Sequence, residues 1–422
     1  MTSDVAAGAA GDVAAGAAAG AAAGAAGDMA AGAVPSGTLI DHRQVHGAIE
    51  HYYERGWTDG LPVVPPTESY LAEFLAQVER SPDEVVAAMP HLNRECTLRL
   101  AAVNSIMAGC LPEYFPVVLA MLDALRLDTG ARGATRFSSG LWQSTTGTVP
   151  ITVVNGPVRL RLGFNCKGNI FGPGFRPNAT IGRALRLIAM NVLGLKPHVL
   201  DQSTHANPAK YTCCIAENEE ESPWEPMSVE AGYGPEASTV AFMMMRSCMH
   251  IEARSAIRPE HVLSDVANTV ARTGVLYSER SACLLVVSPE HAQLLASHGW
   301  DKKDVREFVA ANAVCTREAL ERAGKTGISR DMHWLVPSEH PDAMEGEEPT
   351  FERRDGQDVH FVLGSPDDVV VVVAGAANAG VSTVIELMGA TTAPSGRGGG
   401  RLPAMSEIVM SSRPATTPPW PQ

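Results

Sequence analysis

Apolar residues recur at helical spacing in four segments of the first half of the chain. A repeat at i, i+3, i+4 and i+7 is typical of a helix with one face in the core. We therefore predict helices over Val45–Arg55, Glu68–Arg80, Leu98–Met107 and Pro116–Leu125. Gly56 ends the first of these helices, and Thr67 is placed to cap the second.

Shorter apolar runs predict strands in the middle of the chain. Ile151–Asn155 and Val158–Leu162 flank Asn155-Gly156, a pair typical of hairpin turns, and predict two short strands. The Met-rich run Val240–Ile251 predicts a longer strand. A helix is predicted over Pro259–Val270, with Pro in its first turn.

The pattern changes after about residue 275. Cys283–Val287 and the five consecutive valines Val369–Val373 are uninterrupted apolar runs. Such runs are typical of strands that are covered on both faces, as in parallel sheets. Between them, helices are predicted to start at Ser288 and to cover Lys302–Ala311. Two strands and two helices in this order predict a small α/β unit.

The whole pattern predicts an α/β fold. A mixed α+β main domain is expected over residues 38–275, followed by the smaller α/β unit over residues 276–393. Residues 1–37 are mostly Ala and Gly and predict a disordered tail, because each Gly costs about 1 kcal/mol in a helix. Residues 394–422 are rich in Pro, Gly and Ser and predict a second flexible tail.

Charge and composition exclude several classes of protein. The formal net charge is −14, whereas a general nucleic-acid binder needs a basic surface. Mean hydropathy is −0.01, and no apolar run reaches the roughly 18 residues of a membrane span, so no membrane partner is expected. Eight cysteines are too few for a disulfide scaffold, which favours the cytoplasm. A homo-oligomer is left open.

The loop over residues 163–180 is the strongest candidate for binding an anion. Gly172–Asn178 leads into a helix predicted over Ile181–Val192 and starting near Thr180, and helix N-termini attract negative charge. Arg176 and Arg183 could both reach a carboxylate or a phosphate. The alternative is an Asn178 or Thr180 cap beside two solvated arginines. The P-loop ending Lys-Ser/Thr is absent.

The segment Asp201–Trp224 is the second candidate, because it combines acids, bases and thiols within a short stretch. Its candidate side chains are Lys210, Tyr211, Cys214 and Glu217. Glu217 is expected to point inward, and the run Glu219–Glu221 to form a solvated face.

Two further residues are candidates on local grounds. Cys110 precedes a helix start, where a thiolate can be stabilised, although most free cysteines are buried and inert. Asp59 lies between glycines in a stretch that three prolines make rigid, although Asp-Gly is also an ordinary turn pair. Residues 374–380 follow a buried strand, but they lack the GxGxxG spacing of a nucleotide site. Metal-ligand spacings are absent as well, so neither a metal nor a cofactor is predicted.

Several blocks in combination carry a resemblance to a known family. They are GWTDGLPVVPPTE, AVNSIMAGCLPEYFPVVLA, VNGP, GPGFRPNATIGRALRL, KYTCCIAENEEESPWEP, LLVVSPEHAQLLASHGW and VVVVVAGAANAG. Over about residues 45–390 the chain resembles a bacterial family similar to the UGSC-motif (seleno)proteins. The Sec/Cys-Gly-Ser-Cys motif itself is absent. The resemblance implies an enzyme with a shared site. It points to Asp59, Asn104, Cys110, Glu113, Asn155, Arg176, Asn178, Thr180, Arg183, Lys210, Tyr211, Cys214, Glu217 and Asn218.

Together these features predict a cytoplasmic enzyme that acts on a small acidic metabolite, in a specialised biosynthetic pathway. Cys110 or Cys214 is the expected nucleophile or redox thiol, and Glu217, Asp59 or Tyr211 the expected proton carrier. The expected substrate-binding residues are Arg176, Asn178, Thr180, Arg183, Lys210, Asn155 and Asn104. Two alternatives stay open. One is a thiol redox or sulfur-handling partner of another protein, and the other is a non-catalytic binding protein in a biosynthetic complex.

Overall fold

A computed structural model describes residues 42–130, 145–273, 281–323, 350–388 and 403–410. The predicted tail over residues 1–37 lies outside these ranges. The chain divides into two compact units, Met1–Gly56 and Trp57–Gln422. The described part of the first unit contains helix α1 (His42–Glu54), close to its predicted bounds.

The second unit is built around a mixed sheet of seven strands. They are β3 (Val149–Asn155), β4 (Cys214–Ala216), β5 (Thr239–Glu252), β6 (Ser281–Val287), β10 (Val369–Val373), β11 (Val381–Met388) and β12 (Ala404–Glu407). The order is β10-β6-β11-β5-β3-β4, and β12 pairs with β5. The pairs β10–β6 and β3–β4 are parallel, and the others are antiparallel. The fold is therefore mixed α/β, as predicted.

The valine run of β10 is buried on both faces of this sheet. Val369, Val371 and Val373 belong to one hydrophobic cluster, whereas Val370 and Val372 belong to another. Alternate residues of a strand point to opposite faces, so an uninterrupted apolar run fits a strand covered twice. The second cluster also contains Ile215 of β4, at the other end of the strand order. Asn218, two residues after β4, donates its backbone N–H to Val373 O of β10 over 2.7 Å, so the sheet curves until the ends of its two outer strands meet.

Helices from the first half of this unit pack beside the sheet. They are α2 (Glu68–Leu75), α3 (Leu98–Ala108), α4 (Phe115–Gly130) and α6 (Arg176–Asn191). Helix α3 packs along α6, and α4 lies against β5 and β12. A two-stranded antiparallel sheet of β1 (Val85–Met89) and β2 (Arg94–Thr97) precedes α3.

Helices from the second half cover the parallel pair β6–β10. They are α8 (Pro259–Thr273), α9 (Pro289–Ser297), α10 (Lys302–Asn312) and α11 (Arg317–Arg322). A three-stranded sheet follows, with the order β7 (Val314–Thr316), β9 (Gln357–Phe361), β8 (Glu352–Arg354). The helix starts predicted at Ser288 and Lys302 are confirmed, since Ser288 and Asp301 cap α9 and α10.

Four predicted elements are wrong in type or extent. Helix α4 runs to Gly130, five residues beyond its predicted end at Leu125. Val158–Leu162 forms the short helix α5, because Gly156 takes a positive φ of 83° and Pro157 directs the chain into a helix. Helix α2 ends at Leu75, five residues before its predicted end. Helix α6 begins at Arg176, because Pro177 fits a first helical turn. Arg183 is therefore a mid-helix residue.

The C-terminal segments extend the sheet. Residues 404–407, within the predicted tail, form β12 and pair with β5 on the edge that also carries β11. The predicted flexible tail therefore does not extend over these residues. The same sheet includes strands from both sides of the predicted boundary at residues 275–276. One further short helix, α7 (Met227–Glu230), links β4 to β5.

Candidate functional site

One face of helix α6 holds the turn that ends helix α3. Arg176 donates from Nε to Gly109 O over 3.0 Å, and Arg183 reaches Ala108 O over 3.5 Å. Between them, Thr180 donates from Oγ1 to Arg176 O over 2.8 Å and lies near enough to the Cys110 thiol to lower its pKa. These three α6 residues are four and three positions apart, so they share one face of the helix. The structure thus brings together Arg176, Thr180, Arg183 and Cys110.

Arg183 is committed to Asp59. Its Nε and Nη2 donate to the two Asp59 carboxylate oxygens, each over 2.8 Å, and Nη2 also reaches Pro62 O. The Asp59 side chain is only 3 % exposed. The two residues were expected to act separately on a substrate, whereas the structure pairs them. The pair fastens the Gly- and Pro-rich segment over residues 57–67 to α6.

Arg176 has a different environment. Only its Nε is bonded, so both terminal amino groups are without a partner among the described residues. Tyr70 donates to Cys110 O over 3.4 Å, next to the Gly109 carbonyl that anchors Arg176. The Arg176 charge acts on the ionisation of Tyr70, Tyr114 and Cys110, which places all three near it. We call Tyr70, Cys110, Tyr114, Arg176 and Thr180 the Arg176 site.

The ionisable groups of this site are proton donors. Burial raises the pKa of Tyr114 and of Cys110 to about 12 each, and it also raises the pKa of Tyr70. The positive charge of Arg176 lowers these pKa values but does not outweigh burial. The Tyr114 hydroxyl makes no hydrogen bond to another described residue, although the residue is only 5 % exposed. A protonated phenol and a guanidinium together favour an oxyanion.

The N-terminus of α6 adds to this donor character. Its N-cap residue, Phe175, contributes no side-chain hydrogen bond, so no N-cap side chain satisfies the first backbone N–H groups. Asn178 was predicted as a cap or a ligand group. Instead, its Oδ1 accepts from Asn165 N, and its Nδ2 donates to Asn165 O and to Cys214 O. Asn178 therefore ties the preceding loop to strand β4.

Cys214 lies near Cys110, so a thiolate at Cys214 would raise the pKa of the Cys110 thiol. It is 3 % exposed, and burial raises the pKa of its thiol to about 12. A buried thiol with a raised pKa is a poor nucleophile near neutral pH. The geometry therefore favours proton donation over thiolate attack at these two cysteines.

A second cluster forms around Asp201, which sequence reasoning placed in the candidate segment. Lys210 donates to the Asp201 carboxylate over 2.5 Å and to Ser203 Oγ over 2.6 Å, and Arg186 reaches the same carboxylate. Burial would raise the pKa of Asp201, but hydrogen bonds from Lys210 and Ser203 lower it to about 2. Burial lowers the pKa of Lys210. The single negative charge of Asp201 thus balances only one of the two positive charges beside it, those of Lys210 and Arg186.

A third cluster is buried where the parallel strands β3 and β4 end. Glu217 is fully buried and accepts from Asn155 Nδ2 over 2.6 Å and from Met227 N over 2.9 Å. Lys302 Nζ lies 3.5 Å from Glu217 Oε1 and 3.5 Å from Glu230 Oε2. The prediction that Glu217 points inward is confirmed. Glu219 does not lie on a solvated face, since it accepts from Asn155 and is paired with the buried Arg159.

Several predicted residues, among them Asp59, Arg183 and Asn178, belong to none of these clusters. Asn218 donates from Nδ2 to Gly375 O over 3.4 Å. The Tyr211 side chain is 51 % exposed, and Asn104 accepts a hydrogen bond from Asn191.

Sequence reasoning missed Tyr70 and Lys302. No local motif marks either residue, and only the tertiary fold brings them to Cys110 and to Glu217. Sequence reasoning also missed Tyr114, which directly follows the predicted Glu113, so proximity was the one signal for it.

In the part of the chain that is described, no group of three or more His, Cys, Asp or Glu side chains could hold a metal ion. Among those same residues, no helix is both long and apolar enough to cross a membrane. Comparison of the chain with protein-family models, with curated proteins and with solved structures gave no match.

Proposed function

We propose that this protein is an enzyme that binds a small anionic metabolite at the Arg176 site, through a carboxylate or phosphate group. The observation that carries the proposal is the state of Arg176. Its guanidinium is anchored through Nε alone, and its two amino groups have no partner among the described residues. A guanidinium fork held in this way matches two oxygens of one anion.

Two neighbouring features support an anion rather than a neutral ligand. The N-terminus of α6, a helix of 16 residues, has no side-chain cap at Phe175 and favours negative charge. Tyr114, a residue only 5 % exposed, contributes a hydroxyl that lacks a partner among the described residues. Both features supply hydrogen-bond donors that an oxyanion would satisfy. One negative charge is also near, since the Glu113 carboxylate raises the pKa of Tyr70 and of Tyr114.

The chemistry proposed for the site is proton donation. Burial holds the pKa of Tyr114 at about 12, so the phenol stays protonated at neutral pH and can donate to a developing oxyanion. The Cys110 thiol is protonated for the same reason. The catalytic residues in this proposal are therefore Tyr114 as the donor and Arg176 as the anion-binding group, with Thr180 and Tyr70 as positioning residues.

Titration calorimetry with inorganic phosphate and with malonate, at constant ionic strength, tests the binding step. We expect Arg176→Gln to weaken both by about ten- to one-hundredfold, since hydrogen bonds to charged groups are worth about 1.5–3 kcal/mol. Arg254→Gln is the matched control, because Arg254 is 60 % exposed and pairs only with Glu252 among the described residues. Unchanged binding by Arg176→Gln, or no binding by the unaltered protein, would overturn the proposal.

Turnover is tested separately. The protein is incubated with a pool of small carboxylates and phosphate esters, and the pool is followed by mass spectrometry. We expect some pool member to be consumed by the unaltered protein and by Arg254→Gln, and to persist with Tyr114→Phe. Binding of phosphate without turnover of any pool member would leave a binding protein and refute the enzymatic part.

A further inference from the structure

A cavity of about 340 Å³ lies apart from the three clusters, and nothing in the proposed function uses it. Its walls are the Gly168–Gly172 loop, the Ala374–Ala376 segment with Asn378, and side chains of β5, β6 and β11. We propose that this cavity is a binding site for an uncharged, flat and partly apolar small molecule. This inference does not depend on the Arg176 site.

The position of the cavity fits a ligand site. Ala374–Ala376 directly follow β10, which is parallel to β6, and Val286 of β6 also lines the cavity. Parallel strands in α/β sheets present their carboxyl ends to ligands, because the chain leaves the sheet there and opens a crevice. The volume lies at the low end of the roughly 300–1,000 Å³ range of small-molecule sites.

The loop wall is held in place from within. Asn165 donates from Nδ2 to Gly168 O and accepts from Lys167 N, each over 2.9 Å. Asn169 donates from Nδ2 to Pro173 O, and Gly375 N donates to Cys166 O, again over 2.9 Å each. These bonds fix the loop both to itself and to the end of β10. The cavity is therefore largely formed before any ligand arrives.

The lining decides the charge of the ligand. None of the lining residues is Asp, Glu, Lys or Arg, and about half are aliphatic or aromatic. A charged ligand would lose its hydration here without gaining an opposite charge, which is costly. A molecule with no net charge and one apolar face avoids that cost.

His250 and Thr383 provide the polar contact. They face each other across the β5–β11 pair, with His250 Nδ1 3.0 Å from Thr383 Oγ1. That contact fixes the ring and leaves Nε2 without a partner among the described residues. Nε2 is therefore the atom that would bond a donor or acceptor on the ligand. Phe171, 39 % exposed, offers a ring for stacking at the cavity.

Saturation-transfer NMR with benzamide, benzoate and benzylamine tests the inference, because the three probes share a ring and differ in charge. We expect benzamide to bind. Ala376→Trp should abolish its signal by filling the cavity, while Ala377→Trp, at the exposed next residue that does not line it, should keep the signal. Thr383→Val and His250→Ala should weaken binding about threefold to tenfold, the loss of one hydrogen bond.

Arg176→Gln should leave benzamide binding unchanged, which separates this cavity from the anion site. The proposal is overturned by a benzamide signal that survives Ala376→Trp, by the absence of a signal, or by its loss in both tryptophan variants. Benzoate or benzylamine binding that is equally sensitive to Ala376→Trp would refute the uncharged ligand class.

Discussion

The Arg183 guanidinium donates to both carboxylate oxygens of Asp59, from Nε to Oδ2 and from Nη2 to Oδ1, each over 2.8 Å. The two residues are 124 positions apart, and the Asp59 and Arg183 side chains are 3 % and 15 % exposed. The contact joins an early segment with no regular structure at Asp59 to the helix that carries Arg176. It therefore supports the Arg176 site without belonging to it.

Removal of Arg183 should destabilise the protein strongly. Arg183→Leu leaves the Asp59 carboxylate buried without its charge partner, and we expect a loss of about 3–5 kcal/mol in the free energy of unfolding. Arg183→Leu combined with Asp59→Asn should recover part of that loss. Urea unfolding measures both.

Arg322→Leu is the control for that comparison, because Arg322 is 74 % exposed in its pair with Glu318. Its effect should stay within about 0.5 kcal/mol, as for most surface pairs. Equal urea midpoints for the Arg183 and Arg322 variants would contradict a stabilising role of the Asp59–Arg183 pair.

The Asp201 cluster predicts the pH dependence of stability. The pKa of Asp201 falls from its ordinary 3.8 to about 2 in the folded protein. A carboxyl whose pKa is lower in the folded than in the unfolded protein stabilises the fold at every pH above the unfolded-state pKa. This stabilisation is lost as the pH falls from about 4 to about 2. Asp201→Asn should therefore be less stable at pH 7 and lose less stability over that acid range.

Thermal unfolding between pH 2 and pH 7 compares these slopes. Asp355→Asn, at an exposed turn residue, should follow the curve of the unaltered protein. An Asp201→Asn curve parallel to both of them would argue that the Asp201 carboxylate gains nothing on folding.

Cysteine labelling should follow exposure. Cys248 is exposed, whereas Cys110 and Cys214 are buried. Burial raises the pKa of all three thiols, and for Cys110 and Cys214 it does so to about 12. Because the thiolate reacts and the thiol does not, iodoacetamide at pH 8 should modify Cys248 first. Cys110 and Cys214 should react only after unfolding in urea, and peptide mass spectrometry identifies each product.

Cys248→Ser should remove the fast phase of that reaction. Native modification of Cys110 as fast as that of Cys248 would instead reveal an accessible thiolate, and it would restore the cysteine nucleophile that the sequence suggested.

Gly182 should resist substitution despite its place in a helix. Gly→Ala inside a helix usually stabilises by about 1 kcal/mol. A Cβ at Gly182 of α6, however, would lie 2.4 Å from Thr212 Oγ1 and 2.9 Å from Cys213 N. We expect Gly182→Ala to destabilise by about 1–3 kcal/mol in urea unfolding, as overpacking does.

Gly47→Ala in α1 provides the opposite case, since no heavy atom lies within 4 Å of its added Cβ. It should leave the urea midpoint unchanged or raise it. Stabilisation by both alanine substitutions would show that α6 does not pack against the Thr212–Cys213 segment as closely as the distances indicate.

The sequence by itself determined most helices and the strands β3, β5, β6 and β10, because their signals are local. The run Val369–Val373 indicated a strand covered on both faces, and Ser288 indicated the start of α9. Local signals failed at Val158–Leu162, because a short apolar run fits a strand and a helix equally well. The positive φ of Gly156 turns the chain into a helix there.

Tertiary structure alone decided how the candidate residues are grouped. Composition and spacing selected both Arg176 and Arg183. They could not show that Arg183 is bound by Asp59, while no described residue bonds the two amino groups of Arg176. The reason is physical: an arginine is available to a ligand only if no partner satisfies it, and its partners come from distant parts of the chain. Tyr70 and His250 were likewise placed at their sites by contacts between distant positions. Tyr70 bonds Cys110 O, 40 positions away, and His250 contacts Thr383, 133 positions away.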